Sequence, residues 1–270
     1  MVTGYGFASK RRALSRNRQF SVLKGNTVDT ILPELQITKD LRPFLQLQEN
    51  TDGRRMLIFF ADKDVDALQN AQYVLGDGNF KYNSKEFHNP GQLYTLHAVV
   101  NGEAQPIVYA LMQALDVRAY EVLLTCLKDA MIRRFGIIGA LATTTTWIFD
   151  YEAAVIIATK NVFSTTSSTP KIRGCAFHFA KAINTKRDEL GLRGLCNSDT
   201  AVNEWLRRVR HLPFIPDNFR LEFAADLIDH IYCRRLVGMS PEEEFQRSSR
   251  KVALMHPKVH RAIQEPFKFN

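Results

Sequence analysis

The sequence predicts an α/β fold: a mixed sheet with flanking helices, followed by an all-helical C-terminal region. Three observations carry this prediction. Residues 73–112 hold three strand-like runs joined by turn signals, the pattern of an antiparallel meander. From Asp116 to Gly191 helix-like and strand-like runs alternate, as crossover connections to further strands require. Beyond Gly191 every periodic run has helical spacing.

The elements follow in order. Positions 1–26 carry no acid and six bases: Lys10, Arg11, Arg12, Arg16, Arg18 and Lys24. Residues 1–27 are therefore expected to be a flexible basic arm, either a nuclear-import or phosphate-contacting tail or a solubilising end. Residues 28–50, with Pro33 and Pro43, are expected to be irregular with short elements. Arg55–Ala61 is a strand, and Asp64–Gln72 has helical spacing with Val65, Leu68 and Ala71 on one face. The run Tyr73–Phe80 begins as an apolar strand and then places a carboxylate, Asp77, between Gly76 and Gly78. Glycine in a strand marks a close approach to the backbone; the plainer alternative is an Asp-Gly turn.

Gln92–Val100 alternates, with Tyr94, Leu96, Ala98 and Val100 on one face and Thr95 and His97 on the other. Asn101-Gly102 is a hairpin signal, and Pro106–Met112 is the returning strand. Asp116 caps a helix running to about Arg134, before Gly136, with Tyr120, Leu123, Leu124, Leu127 and Met131 as its apolar stripe. Thr143–Thr146 leads into a strand that ends at a second acid, Asp150. Glu152–Phe163 is helical and Ser164–Pro170 a polar loop. Lys171–Cys175 is a short strand, and Ala176–Leu190 a helix that Gly191 stops. Helices follow around Val202–Val209 and over Pro216–Cys233, then from Ser240-Pro241 and from His256.

This order is that of a ribonuclease-H-like sheet, in which the first and fourth strands of the core lie side by side. Asp77 and Asp150 would then be neighbours and could share a metal ion. The expected division is an arm at 1–27, a core at 28–195 and a helical region at 196–270.

Composition bounds the function. With 36 Lys+Arg against 28 Asp+Glu the 270-residue chain has a net charge of +8, which fits a polyanionic partner. A hydrophobic content of 45% excludes a disordered chain. Cys126, Cys175, Cys196 and Cys233 lack a disulfide-like spacing, which points to a reducing compartment. The N-terminus has no apolar secretion signal, and no run of about 18 apolar residues is present, so no membrane partner is expected.

From about residue 40 onward the chain resembles the transposase domain of Mutator-like elements, the MULE family. Asp77-Gly78-Asn79-Phe80-Lys81 is similar to the family's first-aspartate motif, Asp-Gly-Thr-Phe-Lys, with Asn79 as a departure. Gln92–His97 and Pro106–Leu111 are similar to its next two strands, and Ile148–Glu152 to its second-aspartate motif. Gly174–Phe179 resembles its Cys-x-x-His segment through Cys175 and His178, and Leu212–Pro216 its step into a helical insertion.

The resemblance implies DDE-type DNA cleavage and strand transfer at transposon ends. It implies Mg²⁺ or Mn²⁺ held by Asp77, Asp150 and a third acid, and double-stranded DNA as the partner. It also implies a nuclear location and action as a homo-oligomer. In-line phosphoryl transfer needs both the attacking and the leaving oxygen stabilised, and two metal ions about 4 Å apart do this. The family's spacing before His256-Pro257 leads to Glu242 as the third acid. Gly238 and Met239 stand where the family has asparagines, and Phe245 replaces its histidine. Ser240-Pro241-Glu242-Glu243 is equally a capped helix start that needs no metal.

Cys175 and His178 are half of a zinc site at most, since structural zinc takes four ligands. A buried cysteine and a helix-start histidine beside the active face is the other reading. Arg207, Arg208 and Arg210 lie on the polar side of a helix, as DNA phosphate contacts or as a solvated face. The functional alternative is a domesticated or truncated, non-catalytic nuclear protein that binds DNA or another protein. The missing asparagines and a shortened segment before Glu242 favour it. A nuclease without strand transfer is a third possibility.

Overall fold

The computed structural model describes residues 30–31, 33–51, 54–81, 87, 91–136 and 145–216, together with residues 218, 219, 222, 223 and 227. The basic arm, Cys233, Glu242 and His256-Pro257 lie outside the described residues.

Seven strands are present: β1 (Leu45–Thr51), β2 (Arg54–Phe59), β3 (Tyr73–Asn79), β4 (Gln92–Val100), β5 (Glu103–Met112), β6 (Thr146–Phe149) and β7 (Lys171–Gly174). They make a mixed sheet in the order β1-β2-β5-β4-β3-β6-β7. β1 with β2, β2 with β5 and β4 with β5 are antiparallel; β3 with β6 and β6 with β7 are parallel. The chain is thus α/β with flanking helices. Its contacts divide into two units, residues 1–70 with 78–139 and residues 71–77 with 140–270.

In the first unit the β4–β5 hairpin follows from its turn. Asn101 and Gly102 both have positive φ, 54° and 83°. This is the primed turn whose twist matches the flanking strands. A two-residue loop makes Val100 face Glu103 and Val99 face Ala104. β5 therefore begins at Glu103 rather than Pro106, although its first residues are polar. Pro106 sits opposite His97, where the register shifts, so its missing N–H is tolerated. The helix α1 (Asp62–Ala67) continues as a 3₁₀ turn over Leu68–Asn70. The helix α2 (Val117–Phe135) is capped as expected. Asp116 Oδ1 accepts from the Ala119 N–H at 2.9 Å, and Gly136 closes the helix in the left-handed region. All five stripe residues of α2 are buried.

Gln92 is fully buried at the start of β4 and donates to the Tyr120 hydroxyl at 2.6 Å. A Cβ at Gly78 would collide with its Oε1. Gly78→Ala is therefore expected to cost about 2 kcal/mol, the usual cost of overpacking a site whose neighbour cannot move away. Urea denaturation measures this, and an unchanged midpoint would show that the Gln92 amide turns aside freely.

The second unit holds β3, β6 and β7 with α3 (Ala153–Phe163), α4 (Ala176–Glu189), α5 (Arg193–Ser198) and α6 (Thr200–His211). Trp147 is fully buried on β6, its ring centroid 5.0 Å from that of Phe163 on α3 and 5.8 Å from that of Phe149. A second apolar cluster joins Phe179 and Ile183 of α4 to Val202, Trp205, Leu206 and Val209 of α6. The Trp205 indole N–H donates to the Leu227 carbonyl at 3.0 Å. α5 and α6 are separated by Asp199 alone.

Two elements depart from expectation. β1 occupies residues expected to be irregular, and α5 was not anticipated. Among the described residues no helix is long and apolar enough to cross a membrane.

Candidate functional site

Register builds the site. β3 and β6 pair in parallel as Tyr73 with Thr146, Val74 with Trp147, Leu75 with Ile148 and Gly76 with Phe149. The next position on each strand is an acid, Asp77 and Asp150. The pairing is pinned at its other end. The buried Thr145 hydroxyl donates to the Ala71 carbonyl at 2.9 Å, and the Thr146 N–H to the Gln72 carbonyl at 3.1 Å. A slip of one residue would turn one acid to the opposite face of the sheet.

Burial identifies the face. Val74, Trp147 and Phe149 are buried, while Leu75 and Ile148 are only half-buried. Side chains alternate along a strand, so Asp77 and Asp150 share the face of Leu75 and Ile148.

β7 brings the third group. Phe149 pairs with Gly174, and the Cys175 N–H donates to the Phe149 carbonyl at 2.7 Å. Cys175 is the N-cap of α4, so His178 falls in that helix's first turn. The His178 Nε2 lies 3.9 Å from Asp77 Oδ1. The start of α4 follows directly from the end of β7, where its dipole favours negative charge.

The two acids differ in environment. The Asp77 side chain is 60% exposed. Asp150 is half-buried, and burial raises its pKa above the ordinary aspartate value. The charge of Asp77 raises it further, while His178 and a hydrogen bond from the Glu152 backbone pull it down. The two carboxylates are therefore close enough to repel each other. Among the described residues, Asp150 Oδ1 and His178 Nδ1 are buried without a hydrogen-bond partner. Orphaned buried polar atoms in a native structure call for a water, an ion or a function.

Oxygen donors with surplus negative charge suit a hard divalent cation, and the unpartnered Asp150 oxygen is a fitting ligand atom. Among the described residues no three His, Cys, Asp or Glu side chains gather as a metal-holding group. Two acids are thus brought together, and Glu242 lies outside the described residues.

The remaining expectations fall as follows. Cys175 is half-buried rather than buried, and carries a free thiol, as do Cys126 and Cys196. Arg207 and Arg208 are exposed on α6, but both are held by Glu204, at 3.0 Å and 3.3 Å. Arg210 is half-buried, with its guanidinium on the Leu206 carbonyl and the Asn184 side chain. Glu204, three and four residues upstream, was the sequence signal for this pairing.

Sequence reasoning gave no role to Arg173 or to the ring of Tyr151. Arg173 pairs in register with Ile148, which puts it on the face of the acids. The alternation of Lys171 and Arg173 in a short strand was the available signal. A Cβ at Gly174 would come within 2.5 Å of the Tyr151 ring, so this glycine lets the ring lie against β7.

No family model matches the chain, and no curated protein and no solved structure matches it.

Proposed function

We propose that this chain is a metal-dependent DNA-processing domain of the MULE transposase kind, with a ribonuclease-H-like core. One observation supports the reading: Asp77 and Asp150 follow the paired residues Gly76 and Phe149 on adjacent parallel strands and so stand side by side on one face. The parallel run β3-β6-β7 of the second unit, with helices in its connections, supports the same core.

In this reading Asp77 and Asp150 hold Mg²⁺ or Mn²⁺ together with a third acid, for which Glu242 is the candidate. Bound metal would supply charge neutralisation at the attacked phosphate and activation of the attacking oxygen. The protein's own part is positional. The β3–β6 register fixes the spacing of the carboxylates, and the buried side of Asp150 excludes competing water. The start of α4 adds positive character beside Asp77, and His178 Nε2 stands 3.9 Å from its Oδ1. Double-stranded DNA as partner, a nuclear location and assembly as a homo-oligomer belong to the same proposal.

The test is nicking of supercoiled DNA in Mg²⁺ or Mn²⁺. Asp77→Ala and Asp150→Ala are each expected to lower the rate at least 100-fold, the scale of losing a group that acts only in the transition state. Equal rates in all three proteins would overturn the reading. A non-catalytic DNA- or protein-binding role is the second reading. It is favoured by the absence, among the described residues, of a third ligand beside the acid pair.

A further inference from the structure

Next to the acids the same face of the second unit carries a groove of about 290 Å³. Tyr73, Ile148, Tyr151, Arg173, Phe179 and Phe214 line it. Leu75, Ile148 and Arg173 form one row across β3, β6 and β7, two residues before the ends that carry the acids. Two residues along a strand span about 7 Å, so Arg173 stands roughly one row from the carboxylates. It makes no ion pair among the described residues, unlike Arg207 and Arg208.

Three aromatic rings around this groove are open to solvent: Phe214 at 70%, Tyr73 at 41% and Tyr151 at 37%. Large apolar rings exposed together mark a binding surface rather than a packing need. Aromatic faces with an adjacent guanidinium are the chemistry that holds a nucleobase by stacking and its phosphate by charge. A groove this small admits one nucleoside and no duplex.

We propose that this groove seats one unpaired nucleotide of the DNA substrate, its base stacked on Tyr151 and Phe214 and its phosphate on Arg173. The seat rests on the DNA-processing reading and names the form of DNA that it takes. It draws the neighbouring phosphate toward Asp77 and Asp150.

Binding is read by fluorescence anisotropy on two labelled duplexes that are identical except for one unpaired nucleotide. EDTA is present, so no cleavage enters the measurement. The full chain is expected to bind the duplex with the unpaired nucleotide about tenfold more tightly, the scale of one base stacking on an aromatic ring. Phe214→Ala and Arg173→Ala should each remove most of that preference and leave affinity for the paired duplex within about twofold. Both side chains are exposed, so folding is retained, and circular dichroism checks this. Equal wild-type affinity for the two duplexes overturns the seat, and so does an equal loss on both in the variants. Nicking that depends on Asp77 without any preference overturns the seat alone. A preference without nicking overturns the cleavage reading and leaves the seat standing.

Discussion

Asp150→Asn is expected to melt at a higher temperature than the wild type at neutral pH, while losing metal-dependent nicking. Burial first, and the Asp77 charge second among the raising effects, lift the Asp150 pKa in the folded protein. The folded state therefore keeps its proton to a higher pH than the unfolded chain does. Between the ordinary value of 3.8 and the raised folded value the native state binds more protons. Stability then falls as pH rises through that window, and the full cost remains above it. Asparagine has the same shape and no charge, so it escapes the cost. The gain at neutral pH is about 1 kcal/mol, or roughly 2–4 °C in a chain of this size. It should vanish below the ordinary carboxylate range, where both proteins are uncharged at this position. Melting curves from pH 3 to pH 8, roughly the span over which the acid titrates, check the sign. A gain that is constant with pH would mean that the charge is not its source. The same pair of proteins reports on the ion. Mn²⁺ should raise the melting temperature of the wild type, because a ligand of the native state stabilises it. The Asp150→Asn variant offers no such charge to the ion, so its melting temperature should not respond.

The second large effect concerns packing. Trp147→Ala is expected to lower stability by about 3–5 kcal/mol, the range for removing a large buried aromatic ring. Trp147 is fully buried and leaves few ways for its neighbours to collapse. Phe149 stands two residues along the same strand, and Phe163 closes the end of α3, so each is held by its own element. The loss is a large part of the roughly 5–15 kcal/mol that holds a typical domain together. Urea titration followed by far-ultraviolet circular dichroism measures it. A loss below about 1 kcal/mol would mean that the cavity refills, against the usual behaviour of aromatic truncations. Activity should fall in proportion to the unfolded fraction, unlike that of Asp150→Asn.

How far these features could be read in advance depended on the strength of each local signal. β4 was legible because Tyr94, Leu96 and Ala98 are buried on one side and Thr95 and His97 only half-buried on the other. α2 was legible because its cap, stripe and terminal glycine agree with one another. β1 was missed because Gln46, Gln48, Glu49 and Asn50 are poor strand formers. An edge strand paired on one side only needs less apolar side chain than a central one. α5 was missed because Arg193–Ser198 has one buried residue, Cys196, and hence no period. Of the candidate site, the acids were legible as charges ending two apolar strands. Their neighbour Arg173 was not, because a four-residue strand tells little about which face it offers until its own neighbour is known. The engagement of Arg207 and Arg208 was legible only in their three- and four-residue spacing from Glu204.

Val74 and Trp147 are paired although 73 positions separate them. β4, β5 and α2 all lie inside that interval, and β4 pairs with β5 through a two-residue turn. Joining β3 to β6 must close the whole interval, at an entropic cost that local hairpins do not meet. During synthesis, a nascent chain that has not yet passed β6 carries Asp77 with no partner acid. The two acids become neighbours only after the ribosome has delivered the second half, so their pairing is a late event of folding.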